Sequence, residues 1–224
     1  MFIRKPLVII GETHGVASNP AVIDWVVRVV NAHSILLELE KKWTSYLKNI
    51  ASKKSAHSFV RALAKEQWIV QSGLIGKEHL PFLLRWSKEK RNIVGIKVEH
   101  PAWNDAERLT AQEIRRNLNV LKRNRQNIAV VGNLHARTKP FRLFSAGEGV
   151  RRYIPLGYLL RDVAVSIRVV YCGGTCMNFG FKKIQKHRLI HVNQEGAYVI
   201  RKSRSSYFDY DIFVGRAVPM KPLL

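Results

Sequence analysis

The sequence predicts a single α/β domain whose central, mostly parallel sheet is flanked by helices, with a helical insert and antiparallel C-terminal strands. Two observations lead to this prediction. Short β-branched runs alternate with segments of helical periodicity as far as Val131, and strand-like runs dominate after Val163. A chain of 224 residues is long enough for one substantial core and marginal for two. We therefore treat residues 1–224 as one domain.

The first predicted strand, Leu7–Ile10, runs directly into the motif Gly11-Glu-Thr-His-Gly15. Its apolar residues are few, β-branched and flanked by a proline and a glycine, which is typical of a strand buried on both faces. In open α/β sheets, ligands bind at the carboxyl ends of the strands. Glu12 and His14 therefore lie where an active site is expected, although a turn with a surface Glu and His gives the same pattern.

A helix is predicted from Asn19 to about Asn31, followed by a second strand, Ser34–Glu40. Alternation puts Glu38 and Glu40 on one face of this strand. Such a strand either lies at an edge, with one solvated face, or contributes acids to the same site as Glu12. Both glutamates are therefore candidate site residues.

Residues 41–90 have helical periodicity throughout and form the predicted insert. The apolar stripes, interrupted between Gly73 and Gly76, are Trp43, Tyr46, Leu47 and Ile50; Phe59, Leu63 and Trp68; and Leu80, Leu83, Leu84 and Trp86. We expect this insert to form a wall or lid of a pocket, with Trp43 and Trp68 in the core.

The third and fourth predicted strands repeat the pattern of the first. Asn92–Glu99 ends in a carboxylate, and Asn127–Val131 runs into the glycine turn Gly132–Ala136, which presents His135 as the first strand presents His14. All four strands thus end in or run directly into ionisable side chains, although the chain holds only 16 acidic residues and eight histidines. This recurrence is the main argument from the residues for an active site.

The remaining elements extend the same architecture. A long basic helix, capped by Asn104 or Asp105 and reaching Gln126, joins the third and fourth strands. The later segments are a short helix over Tyr153–Leu160 and strands over Val163–Tyr171, Leu189–Val192, Ala197–Ile200 and Tyr210–Val214. Strands in such close succession favour antiparallel additions to the sheet.

The chain is strongly basic, with 38 Lys and Arg against 16 Asp and Glu, a formal net charge of +22 and a pI near 10.5. Such a field attracts nucleic acid and anionic membrane surfaces. The basic residues are spread along the chain, and the mild clusters lie at Arg115–Arg116, Lys122–Arg125, Lys182–Arg188 and Arg201–Arg204. Because no nucleic-acid motif accompanies them, we expect a solvated basic surface with at most non-specific nucleic-acid binding.

The sequence also bears on compartment and redox state. No stretch approaches the ~20 apolar residues that span a bilayer, and the Leu7–Ile10 run is too short for a signal-peptide core. We therefore expect a cytoplasmic protein without a transmembrane segment. Cys172 and Cys176 make no disulfide framework and lack the spacing of a zinc ribbon, so we expect reduced, structural thiols.

Several segments, taken in order, resemble one known family. They are Gly11–Gly15, the acidic strand end at Glu38 and Glu40, Val131–Arg137, Pro155–Leu160, and Phe208–Val214 followed by Pro219. This set resembles the erythromycin esterase/ChaN-like superfamily, whose relatives include haem-binding ChaN proteins and the Tiki and TraB proteins. The resemblance covers nearly the whole chain, and the insert is its least similar part.

The resemblance implies that Glu12 and His14 form the first functional motif, that Glu38 or Glu40 is the strand-two glutamate, and that His135 is the second histidine. Two departures matter. Erythromycin esterases tend to have one more residue between the Glu and His of the first motif and a His where this chain has Gly132. The chain is also shorter than those esterases, so a macrolide substrate is not implied.

Two chemistries fit these residues and a small-molecule substrate. In the first, His14 is the general base that activates water to attack an ester or amide, Glu12 or Glu38 orients it, and His135 stabilises the oxyanion. In the second, a divalent metal is bound among His14, His135, Glu12 and Glu38 and assists the hydrolysis.

Two other functions compete with hydrolysis. A haem carrier of the ChaN type needs an axial ligand and an apolar slot, for which Tyr46, Tyr153, Tyr158 or His100 could serve, although none stands in a haem-specific motif. A nucleic-acid-associated protein is the third alternative, and it depends on the charge alone.

Overall fold

The described part of the chain comprises residues 5–50, 52–120, 125–145, 149–184, 198–221 and 223 of a computed structural model. Its strands are β1 (Leu7–Glu12), β2 (Ser34–Glu40), β3 (Asn92–Lys97), β4 (Asn127–Gly132), β5 (Phe141–Ser145), β6 (Gly149–Tyr153), β7 (Ala164–Tyr171), β8 (Gly174–Met177), β9 (Phe181–Ile184), β10 (Val199–Lys202) and β11 (Tyr210–Val214). Its α-helices are α1 (Asn19–Val29), α2 (Thr44–Lys48), α3 (Lys53–Leu63), α4 (Gln67–Ser72), α5 (Leu80–Lys88), α6 (Trp103–Val120) and α7 (Leu156–Leu159).

Seven strands form the central sheet, in the order β10-β11-β7-β1-β4-β2-β3. Every neighbouring pair is parallel except β10 and β11, which are antiparallel. Two small hairpins, β5–β6 and β8–β9, lie outside this sheet. The predicted single α/β domain, with a mostly parallel sheet and an antiparallel addition near the C-terminal end, is confirmed.

Strand β1 lies in the middle of the sheet, between β4 and β7, and all six of its residues are buried. This position explains its unbroken apolar run, because helices cover both faces of a central parallel strand. In the β1–β4 register Glu12 lies beside Gly132, and in the β2–β4 register Leu37 lies beside Val130. The carboxyl ends of β1, β2 and β4 therefore meet at one edge, as the sequence predicts.

Apolar side chains form a layer on each face of the sheet. Val8 and Ile10 point into the layer that contains α1 and the insert, whereas Leu7 and Ile9 point into the layer beneath α6 and α7. This division follows directly from the two-residue period of a strand. None of the helices in the described part of the chain combines the length and the apolar character needed to cross a membrane.

The insert consists of α2 to α5 and two short 3₁₀ turns, Lys41–Trp43 and Lys77–His79. Its predicted break is observed, because α4 ends before Gly73, whose φ of +67° favours glycine. Most predicted stripe residues are buried in the core, namely Trp43, Leu47, Ile50, Phe59, Leu63, Leu83 and Trp86. Tyr46 is 44% exposed, and Trp68 is partly buried with Lys97 Nζ 3.7 Å from the centre of its ring.

Several element boundaries differ from the predicted ones. Strand β3 ends at Lys97, so the exposed Glu99 lies beyond the sheet. Helix α6 begins at Trp103, and the Asn104 amide lies inside the helix instead of capping it. Tyr153 ends strand β6, and α7 is confined to Leu156–Leu159, because Pro155 restricts the residue before it to extended backbone.

Two predicted segments lie partly or wholly outside the described residues. The predicted strand Leu189–Val192 falls in residues 185–197. Residues 121–124 of the predicted basic helix are also outside the described part, and Arg125 and Gln126, where that helix is predicted to end, are not helical. The last two predicted strands are observed as Val199–Lys202 and Tyr210–Val214. The hairpins β5–β6 and β8–β9 are additions that the sequence patterns did not indicate.

A buried aspartate joins the insert to α1. Asp24 is 1% exposed, its Oδ1 accepts a 2.8 Å hydrogen bond from Trp86 Nε1, and it pairs with Arg28 and Arg85. Because Trp86 is itself buried, its indole N–H has lost water as an alternative partner. Asp24 therefore satisfies a donor that would otherwise be costly to bury.

We expect Asp24→Ala to lower the free energy of unfolding by about 3 kcal/mol, because it leaves the buried indole N–H and two arginines without their partner. Asp162→Ala is the matched control, since Asp162 pairs with Arg115 at a side chain that is 59% exposed. That change should cost less than about 1 kcal/mol. Urea denaturation of both variants measures the difference, and equal costs would contradict a structural role for Asp24.

Candidate active site

Four of the predicted site residues converge at the carboxyl edge of the sheet. The Glu38 carboxylate lies between two imidazoles: its Oε2 is 3.7 Å from His14 Nε2, and its Oε1 is 3.4 Å from His135 Nε2. The remaining member, Glu12, contacts His14 on the far side of the ring. Residues from three different strand ends therefore form one cluster, because parallel strands end together.

Glu12 holds His14 from behind. Its Oε1 lies 2.9 Å from His14 Nδ1, and the glutamate is 2% exposed. A carboxylate at Nδ1 accepts the proton of that nitrogen, which leaves Nε2 to face Glu38. The short Glu-Thr-His spacing thus folds into a loop that brings the two side chains into contact.

His135 is held in the same way by residues that the sequence patterns did not single out for this role. Its Nδ1 contacts Glu107 Oε1 and lies 2.9 Å from the Tyr153 hydroxyl, which in turn donates a 2.7 Å hydrogen bond to Glu107. Glu107 and Tyr153 are both buried. The burial of Glu107 could have been predicted from the sequence, because Glu107 continues the apolar stripe of Ala111 and Ile114 on α6.

An amide on α6 aligns these two partners. Asn104 donates to the carbonyl oxygen of Arg152 at 3.0 Å and accepts from the backbone N–H of Ile154 at 2.9 Å. It therefore clamps the residues on either side of Tyr153 to the first turn of α6, one turn before Glu107. This contact explains why Asn104 is a polar residue inside the helix.

Gly132 provides the space in which the two imidazoles approach the sheet. A Cβ atom at this position would lie 2.9 Å from His14 Nε2 and 3.4 Å from His135 Cδ2. Its backbone N–H donates a 2.7 Å hydrogen bond to Glu38 Oε2, so the glycine also fixes the central carboxylate. A side chain here would push the histidines away from Glu38.

The protonation of His135 follows from its neighbours. Burial alone would lower the pKa of His135, but the charges of Glu38 and Glu107 and the hydrogen bond to Glu107 raise it to about 9. Burial would raise the pKa of Glu38, yet the positive charges of His135 and His14 and the Gly132 N–H hold it below its usual value. At neutral pH this part of the site is an imidazolium beside a carboxylate.

The charges of Glu12 and His14, on the other side of Glu38, are less clearly separated. Burial raises the pKa of Glu12, and this effect outweighs its hydrogen bond to His14. Burial would lower the pKa of His14, but the hydrogen bond to Glu12 and the charge of Glu38 raise it above 6.5. The pKa of His14 is therefore above its ordinary value, and the closely paired Glu12 and His14 titrate as a coupled pair.

Glu40 does not join the cluster. Its Oε2 pairs with Lys42 Nζ at 3.1 Å, and the same ammonium pairs with Glu66 at 3.0 Å. The β2–β3 register shifts between Leu37 and Glu40, so the simple alternation of the strand does not extend to its last residue. The structure therefore brings Glu38, and not Glu40, beside the histidines.

A cleft of about 690 Å³ opens onto one side of the cluster, and its volume is typical of small-molecule sites. Glu38, Glu107, His135 and Tyr153 form part of its lining. The remaining lining residues are Lys97, Val98, Glu99, His100, Pro101, Trp103, Ala106 and Leu134. His14 does not itself line this cleft; its Nε2 lies 3.7 Å from Glu38, which does, and its side chain is 16% exposed.

The insert closes the other side of the cluster around a small cavity of about 20 Å³. Glu12 and Glu38 line it together with Leu74, Ile75 and His79 from the insert, among other residues. Burial and the charge of His14 lower the pKa of His79 to about 3, so this imidazole is neutral. Its Nδ1 accepts the backbone N–H of Gly76 at 3.1 Å.

The residues predicted as possible metal or haem ligands differ in their positions and contacts. In the described part of the chain, no group of three or more His, Cys, Asp or Glu side chains is arranged to hold a metal ion. Among the four suggested haem ligands, His100 and Tyr153 line the cleft, but burial and the charge of Glu107 raise the pKa of Tyr153 and disfavour a phenolate ligand. Tyr46 packs against Trp43 and Phe59 in the insert.

None of the described residues of the basic clusters lines the cleft beside Glu38. Arg115 pairs with Asp162, and Arg116 with Glu113. Residues 122–124 and 186–188 lie outside the described residues. Non-specific nucleic-acid binding therefore stays a prediction from the charge.

No family model matches this chain, and no curated protein matches it in sequence. Solved structures do match its fold. A mutant of the erythromycin esterase EreC in its open conformation superposes with a TM-score of 0.65 at 12% identity, covering 98% of this chain and 93% of that one. The type III effector HopBA1 gives a TM-score of 0.51 at 12% identity, over 94% and 87% of the two chains.

A third structure, with cofacial haem bound to ChaN of Campylobacter jejuni, gives a TM-score of 0.45 at 12% identity, over 93% of this chain and 87% of that one. The sheet and its flanking helices thus define an α/β protein of the erythromycin esterase-like fold. The structural relationship that the motifs predicted is confirmed at the level of the fold.

We expect Glu107→Gln to lower the pKa of His135 from about 9, because the amide keeps the shape of the side chain but removes a negative charge beside Nδ1. NMR titration of the imidazole resonances measures this change. Glu99→Gln is the matched control, since Glu99 lines the same cleft but is exposed. A His135 pKa that responds equally to both substitutions would exclude Glu107 as its particular partner.

Proposed function

We propose that the protein is a hydrolase that cleaves an ester or amide bond with water activated by His14 and Glu12. The observation that carries this proposal is the pairing of two imidazoles with separate glutamates on either side of Glu38. Each glutamate takes the Nδ1 side of its histidine and leaves the reactive Nε2 directed towards the shared carboxylate. Oriented imidazoles of this kind, one of which lines an open cleft, are typical of functional sites.

The two histidines take different roles because their environments differ. His14, with Glu12 accepting from Nδ1, has its Nε2 lone pair available and serves as the general base. His135 is an imidazolium at neutral pH, so its Nε2–H is the donor to a developing oxyanion. Glu38 stays ionised between them and stabilises whichever ring carries the positive charge.

The proposed reaction begins when His14 Nε2 takes a proton from water as the water oxygen bonds to the carbonyl carbon. The carbonyl electrons move to oxygen, and His135 stabilises the resulting oxyanion. When the tetrahedral adduct collapses, the bond to the alcohol or amine breaks and the leaving group takes the proton from His14. The acid product and the original protonation states result, so no other reactant is consumed.

The proposal routes no step through a metal. Both Nδ1 atoms face carboxylates, and the described residues offer no set of three ligands arranged around one point. The fold shared with an esterase is compatible with ester hydrolysis, but a fold hosts many activities, so the argument depends on the side chains. Haem and nucleic-acid binding stay the alternative predictions from resemblance and charge.

We expect His14→Ala and Glu12→Gln to lower kcat on a panel of simple esters by about 10²- to 10⁴-fold, because both remove the activated base. Glu40→Gln is the matched control, since Glu40 is a strand-two glutamate paired with Lys42 outside the cluster. Its activity should stay within about twofold of the unmodified protein. Thermal unfolding verifies that each variant is folded before its rate is measured. A folded His14→Ala variant that kept its activity would contradict the proposal.

A bell-shaped dependence of kcat/KM on pH is expected for this mechanism. Activity should rise as His14 loses its proton, at a pH above 6.5, and fall as His135 loses its proton near pH 9. Glu107→Gln should move only the alkaline limb, and towards lower pH. Initial rates across this pH range test the assignment, and an alkaline limb that ignores Glu107→Gln would remove His135 from the proposed role.

A further inference from the structure

The cleft beside Glu38 and His135 has an apolar wall that the proposed chemistry does not use. Trp103 is 57% exposed and Leu134 is 40% exposed, and both line this cleft. Single exposed apolar side chains are common, but exposed apolar side chains grouped in one cleft are typical of a ligand-binding wall. Leu134 precedes His135 directly in the chain, so this wall adjoins the group assigned to the oxyanion.

The wall is held in place from beneath. Trp103 packs edge-on against Tyr153, with ring centres 6.0 Å apart, and Tyr153 packs against Phe141 at 5.2 Å. Tyr153 is also fixed by its hydrogen bond to Glu107. A ring supported in this way offers a flat contact surface at little cost in side-chain entropy.

The charge of the cleft differs from that of the chain as a whole. Among the described residues that line it, Lys97 is the one Lys or Arg, although the chain contains 38. Glu38, Glu99 and Glu107 also line it, together with the His135 imidazolium. Three carboxylates against two cations give no surplus of positive charge, so the cleft offers an anionic substrate no net attraction.

From these observations we infer that the cleft binds an uncharged ester or amide bearing a flat apolar group, which packs on Trp103 and Leu134 beside the reacting carbonyl. This inference rests on the hydrolase function proposed above and names its substrate class. The volume of about 690 Å³ accommodates a molecule of that kind with its apolar portion covered. Trp103 and Leu134 are the specificity-determining residues.

Two esters and one stable analogue test this inference. Hydrolysis of methyl naphthoate and of methyl acetate is followed by acid release, and binding of methyl naphthyl ketone, which has no cleavable bond, is followed by equilibrium dialysis. Trp103→Ala should lower kcat/KM for the naphthoate about tenfold, the effect of losing roughly 50 Å² of apolar contact. The same variant should weaken ketone binding by a similar factor and lower the rate for the acetate much less than the rate for the naphthoate, because the acetate lacks the group that packs on Trp103.

Phe181→Ala is the matched control, because Phe181 is 78% exposed on β9 and does not line the cleft. It should change neither rate nor binding. Leu134→Ala, as a second variant, should weaken the naphthyl ligands less than Trp103→Ala does, since it removes less surface. A naphthalene dicarboxylic acid monomethyl ester, which adds a negative charge, should be hydrolysed more slowly than the uncharged naphthoate.

The outcomes separate this inference from the proposed function. Ketone binding that depends on Trp103, without hydrolysis of any ester, would support the cleft assignment and overturn the hydrolase function. Hydrolysis without preference for the naphthyl group, unchanged by Trp103→Ala, would overturn the cleft assignment and keep the hydrolase function. Faster hydrolysis of the charged monoester than of the uncharged naphthoate would also overturn the inference, since it requires a cleft that attracts negative charge.

Discussion

The structure depends on the cost of burying several ionisable groups at one sheet edge. Glu12, Glu38 and Glu107 meet His14 and His135 in a small volume, and an unpaired charge there would destabilise the fold by several kcal/mol. Each imidazole is therefore matched to its own glutamate, and Glu38 balances both. The pairing that stabilises the cluster also turns the Nε2 atom of each histidine towards a different oxygen of Glu38.

Elements on both faces of the sheet complete this cluster. The insert supplies His79, whose neutral ring lies against the Glu12 side, while α6 and the β5–β6 hairpin supply Glu107 and Tyr153 to His135. Asn104 couples the hairpin to the helix, and Asp24 couples the insert to α1 through Trp86. Glu107, Tyr153, Asp24 and Trp86 are buried, so removing one partner of their polar contacts costs much free energy.

Local charge and global charge have separate consequences in this protein. The net charge of +22 describes the surface that approaching polyanions meet, and its effect falls off with salt. The cleft is lined by carboxylates, one lysine and an apolar wall that includes Trp103. Its preference among ligands therefore follows from these side chains and not from the net charge of the surface. A basic protein can therefore have a site for uncharged molecules, because short-range contacts decide what fits between Glu38 and Trp103.

The sequence by itself determined the strands of the parallel part of the sheet as α/β units and the glycine-terminated edge where Glu12, His14 and His135 lie, since hydrophobic periodicity and turn residues act locally. It did not indicate the β5–β6 and β8–β9 hairpins. It also left Glu38 and Glu40 equivalent. Only the tertiary structure separated them, through the register shift in β2, and only it brought Glu107 and Tyr153 to His135. Those contacts join residues 28 and 18 positions apart in the chain, and no local pattern encodes which distant side chains a fold will bring together.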